Sequence, residues 1–184
     1  MKKIVFLFIA AVMSCVSVQN VYAQSAVLKN FDYGPLITDF GMHAKIPNVS
    51  LSSETQLKVA FDVAAPGQGG KVNRKFDSLA RFLNMHVAAG VPKENIQLAL
   101  VVHGKAGMDL LDHETYSKVH QQDNANKALL LELMKNNVSV ILCGQSATAY
   151  EINHSQLIKG VKMDLSAMTA HALLQQQGYT VNPF

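Results

Sequence analysis

Ile96-Gln97-Leu98-Ala99-Leu100-Val101-Val102, followed at once by His103-Gly104, is the stretch that decides how this chain folds. One polar residue in an otherwise continuous apolar run, with a charged turn before it, is the pattern of a strand buried on both faces. Strands of that kind belong to parallel sheets that carry helices above and below.

Working outward, the flanking segments supply those helices. Upstream, Leu57, Val59, Phe61 and Val63 alternate with Lys58, Ala60, Asp62 and Ala64, which is strand period. The loop Pro66-Gly67-Gln68-Gly69-Gly70-Lys71 follows, and Asn73 can cap a helix whose Phe76, Leu79, Ala80, Leu83 and Val87 recur at helical spacing until Gly90 and Pro92 end it. Downstream, Met108 to Leu111 and Thr115 to His120 read as short helical turns. Asn124 can cap a further helix carrying Ala128, Leu129, Leu131, Leu133 and Met134, which Asn136-Asn137 stop before a strand from Val138 to Leu142. Cys143 stands at the carboxyl end of that strand. After Ser146 to Tyr150 come a short strand, Val161 to Met163, a helix from Ser166 to about Gln177 that Gly178 terminates, and a last strand from Tyr179 to Val181. Strands alternating with helices predict an α/β fold with a mostly parallel sheet and helices on both faces.

Composition limits what such a domain does. Of 184 residues, 49% are hydrophobic and 16% charged, which fits one globular domain and excludes a disordered chain. The 16 Lys and Arg against 13 Asp and Glu give a formal charge of +3 with no basic stripe, so nucleic acid is not an expected partner.

Residues 1–23 read as a leader. Lys2 and Lys3 precede the apolar Ile4 to Val12, and Val21-Tyr22-Ala23 ends on the small residue that a signal peptidase favours. The apolar run is too short to cross roughly 30 Å of hydrocarbon, so no membrane insertion is expected once the leader is cleaved. An alternative places Cys15 of Val12-Met13-Ser14-Cys15 at a lipoprotein cleavage site, although Met suits that motif poorly. Cleavage after Ala23 predicts an exported, periplasmic type of protein. Residues 24–55, rich in turn formers, read as an extended arm whose Phe31, Tyr33, Leu36, Ile37 and Phe40 need cover, and 56–184 as the single α/β domain. Cys143 is then the one thiol left, which excludes an intramolecular disulfide and poses the functional question.

Arg81-Phe82-Leu83-Asn84-Met85-His86 with Gly90-Val91-Pro92, Leu100-Val101-Val102-His103-Gly104, Leu142-Cys143-Gly144-Gln145-Ser146, Gly160-Val161-Lys162-Met163 and Leu174-Gln175-Gln176-Gln177-Gly178-Tyr179 carry a resemblance in their order and spacing. The chain resembles the DsrE/DsrF-like family over about residues 30–184, and its exported branch most. That resemblance implies a three-layer α/β/α domain with about five strands, assembled into trimers or hexamers. It also implies sulfur relay, with a persulfide on a cysteine after the third strand, as in the cytoplasmic members. Cys143 matches that position; the export signal is the departure. A sulfur-donor or acceptor protein, or a small sulfur species, would be the partner.

Each candidate residue has a second reading. A thiol at a strand's carboxyl edge can meet backbone N–H groups that favour the thiolate, and Gly144 would leave room for a second sulfur. Alternatively Cys143 is structural and buried, in an oligomeric binding module of the same fold. His103 ends the neighbouring strand, about 5 Å away between backbones, where it can take the thiol proton or merely satisfy strand-end groups. Gly104, Gly144, Gln145 and Ser146 would line the site. Asn84 and His86, late in the first helix, would line it or serve packing or subunit contact. The glycine loop fits neither the dinucleotide nor the P-loop fingerprint, because Val72 stands where each needs another residue. His43, His113, His120, His154 and His171 show no paired spacing on one helix face, so neither cofactor nor metal is expected.

Overall fold

The computed structural model describes residues 29–182. The expected leader, Cys15 and the start of the arm lie outside them. The chain divides into two compact units, residues 1–32 and 33–184; of the first, only residues 29–32 are described, and they end in the strand β1, Phe31–Asp32. All that follows concerns the second unit.

After a two-residue strand β2, His43–Ala44, the sheet begins with β3, Leu57–Val63, and β4, Ile96–Val102, pairs with it in parallel from Leu57↔Ile96 to Val63↔Val102. β5, Ser139–Cys143, lies beyond β4, and β6, Lys162–Asp164, beyond β5. The last strand, β7, Thr180–Asn182, returns to the other side of β3, giving the order β6-β5-β4-β3-β7 with every pairing parallel. Side-chain alternation sorts these strands into two faces. Val59, Phe61, Val63, Leu98, Leu100, Val140 and Leu142 face one layer, and Ala60, Ala99, Val101 and Ile141 face the other. β4 is apolar apart from Gln97 because it is central and covered twice.

The first face carries α1, Arg74–Ala88, and α3, Lys127–Lys135, through Phe76, Leu79, Leu83, Leu129, Leu130 and Leu133. Asn73 caps α1 by accepting from the Lys75 N–H. α3 departs from expectation: Asn126 is its N-cap, and the Asn124 side chain instead accepts from the Asn126 N–H while donating to the carbonyls of Asp109 and Leu111. Between β4 and α3 run a 3-10 helix, Gly104–Leu110, and α2, His113–His120. α4, Gly144–Ala149, follows β5 and buries Ala147 on this same face. α5, Ala167–Gln176, takes the opposite face, where Ala170 and Leu174 pack on the small residues Ala60 and Ala99. The chain thus leaves β5 toward one layer and β6 toward the other, opening a crevice outside their carboxyl ends, where open α/β sheets hold ligands.

From Tyr33 onward, the arm packs on α1 of its own chain. Ile37 is buried, Leu36 and Phe40 lie against the same core, and Gly41, with φ of +70°, approaches α1 so closely that a Cβ would collide with the Ala80–Arg81 backbone. Asn84 organises the contact. Fully buried, it accepts at Oδ1 from the amides of Leu36 and Ile37 and donates from Nδ2 to the carbonyls of Ile37, Phe40 and Gly41. Asn84→Ala removes the partner of the Leu36 and Ile37 amides and of the Phe40 and Gly41 carbonyls, while the Ile37 carbonyl keeps the Gly34 N–H, and should cost about 3 kcal/mol or more, since each unmet buried group costs roughly 1–3. Urea unfolding should show the loss as a lower midpoint.

Candidate functional site

Cys143 ends β5 at the crevice and is 5% exposed. Two helices begin beside it. The backbone N–H groups of Gln145 and Ser146 come from the first turn of α4 and that of Ala167 from the first residue of α5, and all three reach the Cys143 sulfur together with the Ser146 hydroxyl. Burial pushes the thiol up; these four donors outweigh it and hold the group below its ordinary value. Helix N-termini favour an anion for the same electrostatic reason. Ser146 has a second duty, because its Oγ accepts from the Gly104 N–H at 2.8 Å and so ties the end of β4 to the sulfur.

Gly144 plays a different part from the one expected. A Cβ there would stand 2.7 Å from the Asp164 carbonyl oxygen and 3.2 Å from that of Leu165, so the missing side chain lets β6 pack close and opens no room for a second sulfur. Gln145 donates from Nε2 to the Leu165 carbonyl at 3.2 Å, which fixes the same segment. Gly104, Gly144, Gln145 and Ser146 therefore do gather at the thiol.

His103 stands at the same edge, on the sheet face shared by Cys143, but its hydrogen bond goes elsewhere. Nε2 lies 3.1 Å from Asp62 Oδ2, and the other oxygen of Asp62 is 2.8 Å from Nε2 of His171 on α5. The ring makes no hydrogen bond to the sulfur. Burial pushes the Asp62 carboxyl up, yet hydrogen bonds from His171 and His103, with their charge, hold it below the usual carboxylate range. Asp62 and His171 were not singled out by sequence. Asp62 sits as the polar residue of an alternating strand, and His171 is one turn beyond Ala167; only the crossover of α5 brings them together. The bridge pins α5 to β3 while the first residue of α5 faces the thiol.

Asn84 and His86 lie away from this site, late on α1, which runs back from the carboxyl edge on the other layer. His86 donates from Nδ1 to the Phe82 carbonyl at 2.7 Å and stacks on the Phe82 ring. Among the described residues, no group of three or more His, Cys, Asp or Glu side chains is placed to hold a metal ion, and no helix is long and apolar enough to cross a membrane.

Comparison with known proteins agrees with this architecture. The family model described as the DsrE/DsrF-like family matches residues 58–183. A solved protein of unknown function from Methanobacterium thermoautotrophicum, MTH1491, is similar in fold, with a TM-score of 0.52 and 15% identity over 70% of this chain and 100% of its own. The ychN protein from E. coli superposes with a TM-score of 0.47 at 23% identity, again over 70% of this chain and 100% of its own. No curated protein matches.

Two substitutions probe the site. Ser146→Ala removes a donor to the sulfur and should raise the thiol pKa, slowing iodoacetamide alkylation near pH 7 several-fold while leaving the rate above about pH 10 unchanged, where any thiol is ionised. Asp62→Asn acts on stability. Because folding lowers the Asp62 pKa, its contribution is present above the unfolded value and is lost as pH falls through the folded one. The variant should therefore show a flatter acid limb in a plot of thermal midpoint against pH below about 4.

Proposed function

Since the chain belongs to the DsrE/DsrF-like family, we propose that it is an exported sulfur carrier in which Cys143 is the persulfide-forming nucleophile. The observation that supports this most is the convergence of three backbone N–H groups and the Ser146 hydroxyl on the sulfur. They stabilise the thiolate, and a thiolate is the form that attacks. In the proposed step, the Cys143 thiolate attacks the terminal sulfur of a persulfide donor, R–S–SH. A Cys143 S–S bond forms, the donor's S–S bond breaks, and its electron pair leaves on R–S⁻, which takes up the proton that Cys143 gave up on ionising. No net oxidation occurs, and the reverse reaction delivers the sulfur to an acceptor thiolate.

His103 has a supporting part in this reading. Asp62 fixes the ring through Nε2, and the ring stands at the same edge as the thiol, so we assign it to carrying the proton to the departing thiolate. His103→Ala should then slow sulfur transfer while leaving the alkylation profile of Cys143 in place.

The residues around the crevice suit a partner. Leu165 and Met168, 70% and 80% exposed, flank Ala167, and Met163 is on the adjoining edge strand. A sulfur-donor or acceptor protein would dock on them, and a homo-oligomer, trimer or hexamer, is part of the same proposal. The 5% exposure of Cys143 favours a second reading, a binding module whose thiol is structural.

Intact mass separates the two. After incubation with a persulfide donor, the wild type should gain one sulfur and Cys143→Ser none. Absence of any gain under donor excess would leave the binding module as the better account.

A further inference from the structure

A second concavity lies on the same edge of the sheet. It is a cleft of about 310 Å³ between the loop after β3, the 3-10 helix after β4, α2 and the residue that closes α4. Pro66, Met108, Tyr116 and Tyr150 give it largely apolar walls, and Asp109 sits at its base. This volume is at the small end of ligand sites, which run from about 300 Å³ upward.

Asp109 is the unusual member. It is 4% exposed, and a web of asparagines holds it in place. Its Oδ2 accepts from the Gly67 N–H at 2.8 Å and from Asn73 Nδ2 at 2.9 Å, while its carbonyl accepts from Asn124 Nδ2. Asn126 in turn accepts from the Asn73 N–H and donates its own to Asn124 Oδ1. Both hydrogen bonds to the carboxyl thus fall on one oxygen. Among the described residues none donates to Oδ1, which is not sealed in protein and so opens on the cleft that Asp109 lines. Burial pushes this carboxyl up, against the pull of the Gly67 N–H, the Asn73 amide and the charge of His120. A buried carboxyl with a bare oxygen is costly unless something donates to it.

We propose that this cleft binds a small organic cation, an amine or amidine on an apolar body, which donates to Asp109 Oδ1 and packs between Met108 and the Tyr116 and Tyr150 side chains. The apolar walls exclude water from the ion pair and strengthen it. Lys105 and His120 stand exposed at the rim, where solvent and salt screen their charge. The glycine loop, whose amide at Gly67 already serves Asp109, contributes the wall rather than a phosphate cradle. The site is independent of Cys143 chemistry.

Benzamidine is a suitable probe, titrated calorimetrically into the full chain, with benzoate as the charge-reversed control. Asp109→Asn is the informative variant. Its side-chain oxygen can still accept from Gly67 and Asn73, while its NH₂ replaces the bare acceptor with a donor. The wild type should bind benzamidine one-to-one and saturably. Asp109→Asn should lose about tenfold or more, as for a hydrogen bond to a charged group, and benzoate should bind neither. If Asp109→Asn fails to fold, Tyr150→Ala should weaken binding, and amide shifts on the wild type should centre on Gly67 and Met108. No saturable binding, equal binding by Asp109→Asn, benzoate binding as tightly as benzamidine, or shifts elsewhere would overturn the proposal.

Discussion

Backbone amides that have no partner inside their own helices are the constraint on which this site depends. α4 begins directly after β5 and α5 shortly after β6, on opposite layers, so the free N–H groups of both first turns meet at one point. That point is the last residue of β5. A thiol there is buried, which by itself would keep it protonated and inert, yet it is surrounded by donors that prefer the anion. The same residue is thus sheltered and held below its ordinary pKa, and the topology of the sheet produces both effects.

Holding two helix starts on one sulfur requires that the layers stay in register. On the first face, the large core of α1 and α3 does this. On the second, α5 packs on the smaller cluster of Ala60, Ala99, Val101 and Ile141, so its purchase on the sheet is smaller. The Asp62 bridge to His171 and His103 adds a polar tie across the same gap. Gly144 and Gln145 fix β6 from below, and Ser146 joins the end of β4 to the sulfur. The parts of the crevice are linked by hydrogen bonds that join β3, the end of β5, the residues just after β4 and β6, and the helices α4 and α5.

Much of this was legible in the sequence because the hydrophobic periods are clear. The doubly buried run at 96–102, the alternation at 57–63 and the capped helix after Asn73 locate the sheet and its first layer, and Cys143 is seen at a strand end. What periodicity cannot carry is which distant polar residues meet. His103 reads as a neighbour of Cys143 because their strands are adjacent, but Asp62, one residue before the end of β3 in the alternating polar set, has the stronger claim on its ring. Asn84 reads as an outward residue of α1 because the arm that buries it has no period of its own. Asn124 reads as the cap of α3, but the Asp109 and Leu111 carbonyls claim its amide, and Asn126 takes the cap position.

The central claim, that the fold holds the Cys143 thiol below its ordinary pKa, is tested most directly by titrating the ultraviolet absorbance of the thiolate against pH. The difference between the wild type and Cys143→Ser isolates this one group. The account predicts a midpoint below the free-thiol value of about 8.5. A midpoint at or above that value would show that burial outweighs the converging amides, and would contradict it.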